Sequence, residues 1–189
     1  MHILAISGSL RAASSNTLLV RAAIAQAPSG VTVVPYDGLA ELPHFNPDLD
    51  GALDDPALPS PVRALRAQVS VADALLISSP EYAHGVPGSL KNALDWLVGG
   101  SEMPDKPVAL VTTSTRATYA QASLAETLRT MSARVVAGSP FHVPVDSGGA
   151  EETSVVNDPG VRDALCAVFR AIAADVDAHG SSSGARASN

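Results

Sequence analysis

A doubly wound α/β fold, with five parallel strands in the order 2-1-3-4-5 and helices on both faces, is predicted by three observations. Short runs that are apolar throughout alternate with helix-length amphipathic segments, the pattern of a parallel sheet covered on both sides. Right-handed crossovers leave few ways to connect such units. The two loops of unusual composition follow the first and third predicted strands. Those are the positions flanking the switch point, where sheets of this kind take ligands.

Each element has its own warrant. Residues 2–7, HILAIS, read as a buried first strand, and residues 16–27 as a helix closed by Pro28, Ser29 and Gly30. Residues 31–36 form a second strand. Residues 62–72 are helical, with Val62, Leu65 and Val69 on one face. Residues 74–78, ALLIS, are a third buried strand, and 87–98 a helix with Leu90, Leu94 and Leu97 on its apolar face. Residues 108–113 are a fourth strand, 119–132 a helix, 134–143 a fifth strand, and 158–178 contain the last helix. Residues 1–179 read as a single domain, and residues 180–189, rich in Ser, Gly and Ala, as a disordered tail.

Composition narrows the function. The 189 residues are 46% hydrophobic and 16% charged, a globular balance able to bury a core without staples. The net charge of -7, with no basic stripe, argues against nucleic acid as a partner. No apolar run is long enough to cross a bilayer, so no membrane partner is expected. The N-terminus has no basic segment followed by a long apolar one, so no signal peptide is expected. With a single cysteine, Cys166, no internal disulfide can form, and a cytoplasmic location is the expectation.

The first odd loop is SGSLRAASSN, residues 7–16. It lacks the G-x-G-x-x-G of dinucleotide sites and the G-x-x-x-x-G-K-[ST] of phosphate loops. It has no cysteine for a phosphatase loop, and the chain contains no G-x-S-x-G elbow. What it offers is a run of hydroxyl and amide donors, Ser9, Ser14, Ser15, Asn16 and Thr17, beside one cation, Arg11. At a helix N-terminus, where N–H groups are unspent, such a run suits a terminal phosphate monoester. The alternative is that Ser14 or Ser15 simply caps the helix.

The second odd loop runs from Ser79 through Pro80, Glu81, Tyr82, Ala83, His84 and Gly85 to Gly88. Its proline and glycines suit a tight turn laying backbone amides along a planar ring, with Tyr82 as a flat surface. The alternative is a rigid turn with Tyr82 packed beneath it.

These residues carry a resemblance. GSLRxxSxN at residues 8–16 and PEYxxxxPGxLKNALDW at residues 80–96 resemble the NADPH-dependent FMN reductase family. The segment LPHFNPDL, residues 42–49, is similar to that family's loop after strand 2, and the likeness spans about residues 1–132. The resemblance implies a flavodoxin-like fold and FMN as cofactor, with NADPH or NADH as electron donor. It implies that Ser9, Arg11, Ser14, Asn16 and Thr17, with Ser15 in the same run, hold the phosphate and ribityl chain. It implies that Pro80, Glu81, Tyr82, Ala83, His84 and Gly85 border the ring, mostly through backbone atoms. Ser114 falls where the family has another flavin contact.

The activity so implied is an NAD(P)H oxidoreductase that passes electrons by a ping-pong mechanism to a quinone, free flavin or similar small acceptor. The competing reading is a flavodoxin-like FMN electron carrier without NAD(P)H turnover. No side chain is required as nucleophile or base, since flavin N5 takes the hydride. His84 is either an acid near the ring or a solvated loop residue. Arg116 either grips the extra phosphate of NADPH or is a surface residue. The resemblance also implies a homodimer or homotetramer. Two departures stand out: position 83 is Ala where many members have Asn, and residues 113–119 lack the usual glycine pair.

Other residues read as structural. Trp96 is expected to pack in the core or against a second subunit, and Cys166 to be a small core residue. The spacing of His2, His44, His142 and His179 suits no metal, so none is expected. The stretch of residues 38–61 exceeds usual connector length and is expected to border the acceptor site or a neighbouring subunit.

Overall fold

The computed structural model describes residues 1–145 and 151–183. Strands β1 (His2–Ser7), β2 (Thr32–Pro35), β3 (Ala74–Ser78) and β4 (Pro107–Thr112) pair in parallel in the order β2-β1-β3-β4. Beside β4 lie two short pieces, β5 (Arg134–Val135) and β6 (Phe141–His142). The helices are α1 (Ser15–Ala25), α2 (Ser60–Val71), α3 (Gly88–Val98), α4 (Thr118–Thr130), α5 (Glu152–Asn157) and α6 (Pro159–Ser183). The topology is the predicted flavodoxin-like order.

Alternation along β1 divides the core. Leu4 and Ile6 point into one layer, with Leu65 of α2, Leu90 of α3 and Leu124 of α4. Ile3 and Ala5 point into the other, with Leu19 of α1, Val155 of α5 and Leu165 of α6. Successive side chains of a strand face opposite ways, so each apolar run serves both layers at once.

The expected fifth strand, residues 134–143, is broken in the middle. Gly138 has φ +92, the Ser139-Pro140 peptide is cis, and Pro140 has no N–H to give the ladder. The ladder is patched there by a side chain: Leu110 N–H donates to Ser139 Oγ at 3.1 Å. β5 therefore pairs with the start of β4, and β6 with its end.

Three further findings amend the sequence reading. α5 was not foreseen. It is short and half-polar, and it is anchored to α1 by Arg21–Glu152 at 2.7 Å and by Gln26 Nε2 donating to Val156 O at 2.5 Å. Cys166 is exposed, not in the core. Val161, Leu165, Val168 and Ile172 set the buried stripe of α6, and Cys166 lies one residue, about 100° round the helix, from Leu165. α6 runs to Ser183, and the rest of the expected tail lies outside the described residues.

The stretch between β2 and α2 packs on helices. Trp96 is fully buried, and its Nε1–H and the Asn92 amide donate to Pro43 O at 2.8 and 2.9 Å. Phe45 meets Trp96 edge-on at 5.1 Å. Arg66, 1% exposed, donates to Trp96 O, Gly51 O and the Asp50 carboxylate.

Candidate functional site

A cleft of about 540 Å³ opens at the carboxyl ends of β1, β3 and β4. Ser15 and Asn16 of α1, residues 79–81 after β3, residues 112–117 after β4, and His142 of β6 line it. A larger hollow, about 790 Å³, lies at the opposite end of the sheet, where Asp73, Glu102, Lys106 and Arg134 mix both charges. Burial holds Lys106 there below the usual lysine range, against the opposing pull of Asp73 and Glu102. The smaller cleft is the candidate site, because it sits at the switch point between both odd loops. Its volume suits an organic cofactor, for which roughly 300–1,000 Å³ is usual.

The first loop is organised by its own short polar side chains. Ser14 is the N-cap of α1, and its Oγ accepts from Thr17 N–H at 3.2 Å. Ser9 is buried and its Oγ accepts from Arg11 N–H at 3.3 Å. Thr17 Oγ1 lies 3.2 Å from Ser7 Oγ and donates to Arg11 O at 3.4 Å. These bonds fold the loop back on itself over the first turn of α1. Capping is thus part of what the cluster does, yet Ser9, Arg11 and Ser15 lie outside the cap bond.

Two residues tie the start of α1 to the sheet. Asn16, 4% exposed, accepts from the Ser78 hydroxyl through Oδ1 at 2.8 Å. Ser15 Oγ and Thr113 Oγ1 share a hydrogen bond of 3.0 Å. Gly8 lets the loops approach: a Cβ there would lie 3.0 Å from Leu90 Cδ2 and 3.3 Å from Ser79 Oγ.

The second loop is a two-residue turn. Tyr82 N–H donates to Gly85 O at 3.1 Å, and Gly85 N–H to Tyr82 O at 2.9 Å. The central residues, Ala83 and His84, both have positive φ, 49° and 59°. This left-handed conformation belongs to Ala83 and His84, and not to Gly85 as its type suggested. For residues with a Cβ it costs on the order of 1–2 kcal/mol each. Tyr82 is exposed and does not pack beneath the turn. The turn's mutual bonds consume the amides of Tyr82 and Gly85. Among the described residues, those of Ala83 and His84 have no hydrogen-bond partner.

The structure thus brings Ser15, Asn16, Pro80, Glu81 and Ser114 to the walls of one cleft. Ser9, Arg11 and Ser14 lie in the adjoining loop, Thr17 lies in the first turn of α1 and lines a separate hollow with Tyr36, and Tyr82, Ala83, His84 and Gly85 form the turn beyond Glu81. His84 stacks on Tyr119, with centroids 4.3 Å apart and planes at 18°. Arg116 lines the cleft, and among the described residues no acceptor is found for its guanidinium or that of Arg11. No residue of the long stretch between β2 and α2 lines the cleft.

Sequence reasoning missed Thr113, Tyr119, Gln121 and His142. Thr113 follows from the fold, as the residue just past β4. Nothing local marks Tyr119 or Gln121, whose partners lie in the loop after β3.

The residues present fit FMN. The start of α1, the hydroxyls around it and the uncommitted Arg11 make an anion cradle. The flat opening between residues 80–85 and residues 113–117 suits a ring system.

The profile of the NADPH-dependent FMN reductase family matches residues 1–147. A quinone reductase of Escherichia coli (strain K12) is 36% identical over 109 residues, 58% of this chain and 55% of that protein. A probable NADPH:quinone oxidoreductase 2 of Oryza sativa subsp. japonica is 42% identical over 120 residues, 60% of this chain and 56% of that protein. The matched part of the chain spans little more than half the length of these curated relatives. Among solved structures, the flavoenzyme FerB, an NAD(P)H:(acceptor) oxidoreductase from Paracoccus denitrificans, superposes with TM-score 0.77 at 26% identity. That superposition covers 94% of this chain and 98% of FerB. The family's profile thus covers both odd loops and the strands that bring them together, and the chain belongs to the NADPH-dependent FMN reductase family.

Proposed function

We propose that this chain is an FMN-dependent NAD(P)H oxidoreductase that passes electrons, by a ping-pong mechanism, to a quinone, free flavin or similar small acceptor. One observation carries the reading: the start of α1, with Ser15 and Asn16, and the loops after β3 and β4 line one cleft at the switch point of the sheet. The names of the relatives, quinone reductase and NAD(P)H-dependent FMN reductase, support it.

FMN, when bound, supplies the two-electron chemistry between a reduced nicotinamide and an acceptor. The chain's residues bind and orient. Ser9, Ser14, Ser15, Asn16, Thr17 and Arg11 hold the phosphate and ribityl chain. Pro80, Glu81, Tyr82 and Gly85, with Ser114, would border the ring. The amides of Ala83 and His84, without partners among the described residues, would be available to stabilise negative charge on bound FMN. The open side of the cleft admits donor and acceptor in turn, with no side chain acting as nucleophile or base. A homodimer or homotetramer and a cytoplasmic location complete the proposal, and sedimentation of the purified protein checks the first.

The test is spectroscopic. Purified protein, titrated with FMN, is expected to bind one flavin per chain and to bleach rapidly on anaerobic addition of NADPH or NADH. Benzoquinone should then restore the yellow colour. Slow or absent bleaching of the loaded protein would leave the carrier as the correct reading. No FMN binding would refute both.

A further inference from the structure

α4 begins without a cap of its own. Ala117 at the N-cap offers no acceptor, and the first turn holds no acidic residue. The missing acceptor comes from the loop after β3. Glu81 Oε2 accepts from Ala120 N–H at 2.8 Å, across 39 positions of sequence. Two more fastenings run the same way. Gln121, 3% exposed, donates through Nε2 to Ser79 O at 3.2 Å, and His84 stacks on Tyr119. Residues 79–81 and residues 112–117 both line the cleft, at the ends of the neighbouring strands β3 and β4. The link between them therefore sets the distance across which a flat ring would lie. A carboxylate at a helix N-terminus is the strong form of this contact, because it is charge-assisted and aligned with the helix dipole.

We propose that Glu81 is a positioning residue: by capping α4 from the facing loop, its carboxylate fixes the width of the flavin cleft. The inference rests on the FMN reading above and adds a residue whose side chain acts without touching the ring. The strained turn at Ala83 and His84 follows from the same link, since it is held between Glu81 and the stack on Tyr119.

The test compares wild type, Glu81→Ala and Glu81→Gln. Two quantities are read: hydrogen exchange at the Ala120 amide in flavin-free protein, and FMN affinity from quenching of flavin fluorescence. Glu81→Ala is expected to speed Ala120 exchange and to weaken FMN, each by about 10-fold, the scale of a lost helix cap. Glu81→Gln retains an acceptor oxygen and should recover both to within about threefold. Unchanged FMN affinity in Glu81→Ala, with only a lower Tm, would overturn the proposal. So would a Glu81→Gln variant as weak as Glu81→Ala, since an acceptor oxygen at the start of α4 would then not restore the site. If Glu81→Ala does not fold, Glu81→Asp replaces it: its shorter reach should weaken FMN about fivefold, and unchanged affinity overturns the inference. Failure of wild type to bind FMN would sink the functional reading and the flavin-cleft role with it, while the exchange measurement would still show whether Glu81 caps α4.

Discussion

The two loops that form the cleft are held in opposite ways. The first is stitched mostly by neighbours: Ser9 to Arg11, Ser14 to Thr17, Thr17 to Arg11, all within six positions. The second, beyond the Tyr82–Gly85 turn and a bond from Ser79 Oγ to Pro80 O, hangs on α4 through Glu81, Ser79 and His84. A loop closed by near neighbours loses little chain entropy and is organised before ligand arrives. A loop held from far along the chain depends on the rest of the sheet being in place, and it transmits changes between elements. The first suits an unvarying anchor for a phosphate, and the second suits a wall whose position matters.

Three measurements put that contrast at risk, beyond the Glu81 series. The largest effect is expected at Asn16, where the first loop's local stitching gives way to a long-range tie. Asn16→Leu removes the acceptor from the buried Ser78 hydroxyl and should cost about 2 kcal/mol in urea unfolding. A loss no larger than a surface change, under about 0.5 kcal/mol, would mean the first loop needs no tie to β3.

The next effect is a pH arm beside the first loop. Tyr36 shares a hollow with Ser7 and Thr17, and burial, then the nearby Glu41 charge, pushes its phenol up to about 12. The folded chain thus keeps this proton where the unfolded chain, near 10, has shed it. The stabilisation is complete below pH 10 and is lost as pH rises through about 12. Wild type should lose on the order of 1–2 kcal/mol relative to Tyr36→Phe over that window, read as Tm against pH. Parallel curves for the two proteins would show that Tyr36 titrates normally.

The smallest effect belongs to the second loop. Ala83→Gly relieves a left-handed backbone and should raise stability by about 0.5–1 kcal/mol. Raised stability with unchanged FMN affinity would show that the turn's shape is imposed by α4. A weaker grip on FMN would show that the turn holds itself.

Much of the first loop was legible in the residues, because its bonds join side chains a few positions apart and its residue types declare them. A serine cap, at Ser14 or Ser15, is one of the two readings the residue types allow, and the structure puts it at Ser14 with Thr17 N–H as donor. The helices after each odd loop were equally plain, since Leu90, Leu94 and Leu97 repeat with helical period and are buried as that period requires. Cys166 was misread because its neighbours are apolar in sequence while it faces outward on the helix. The fifth strand was misread as continuous because Gly138 and Pro140 interrupt an otherwise apolar run, and Ser139 reaching Leu110 bridges the gap between the two paired pieces. α5 escaped because a six-residue helix has too few turns for a period to show.

The sequence by itself determined the doubly wound fold, its first four strands and the helices after each odd loop. Each of these is encoded by apolar period or by short polar side chains acting on their own backbone. Only the tertiary structure decided that Glu81 caps a helix 39 positions away, that His84 rests on Tyr119, and that the long stretch after β2 turns toward Trp96 and away from the cleft. Such contacts join surfaces with no shared periodicity, and nothing local favours one partner over another until the sheet has brought them within reach.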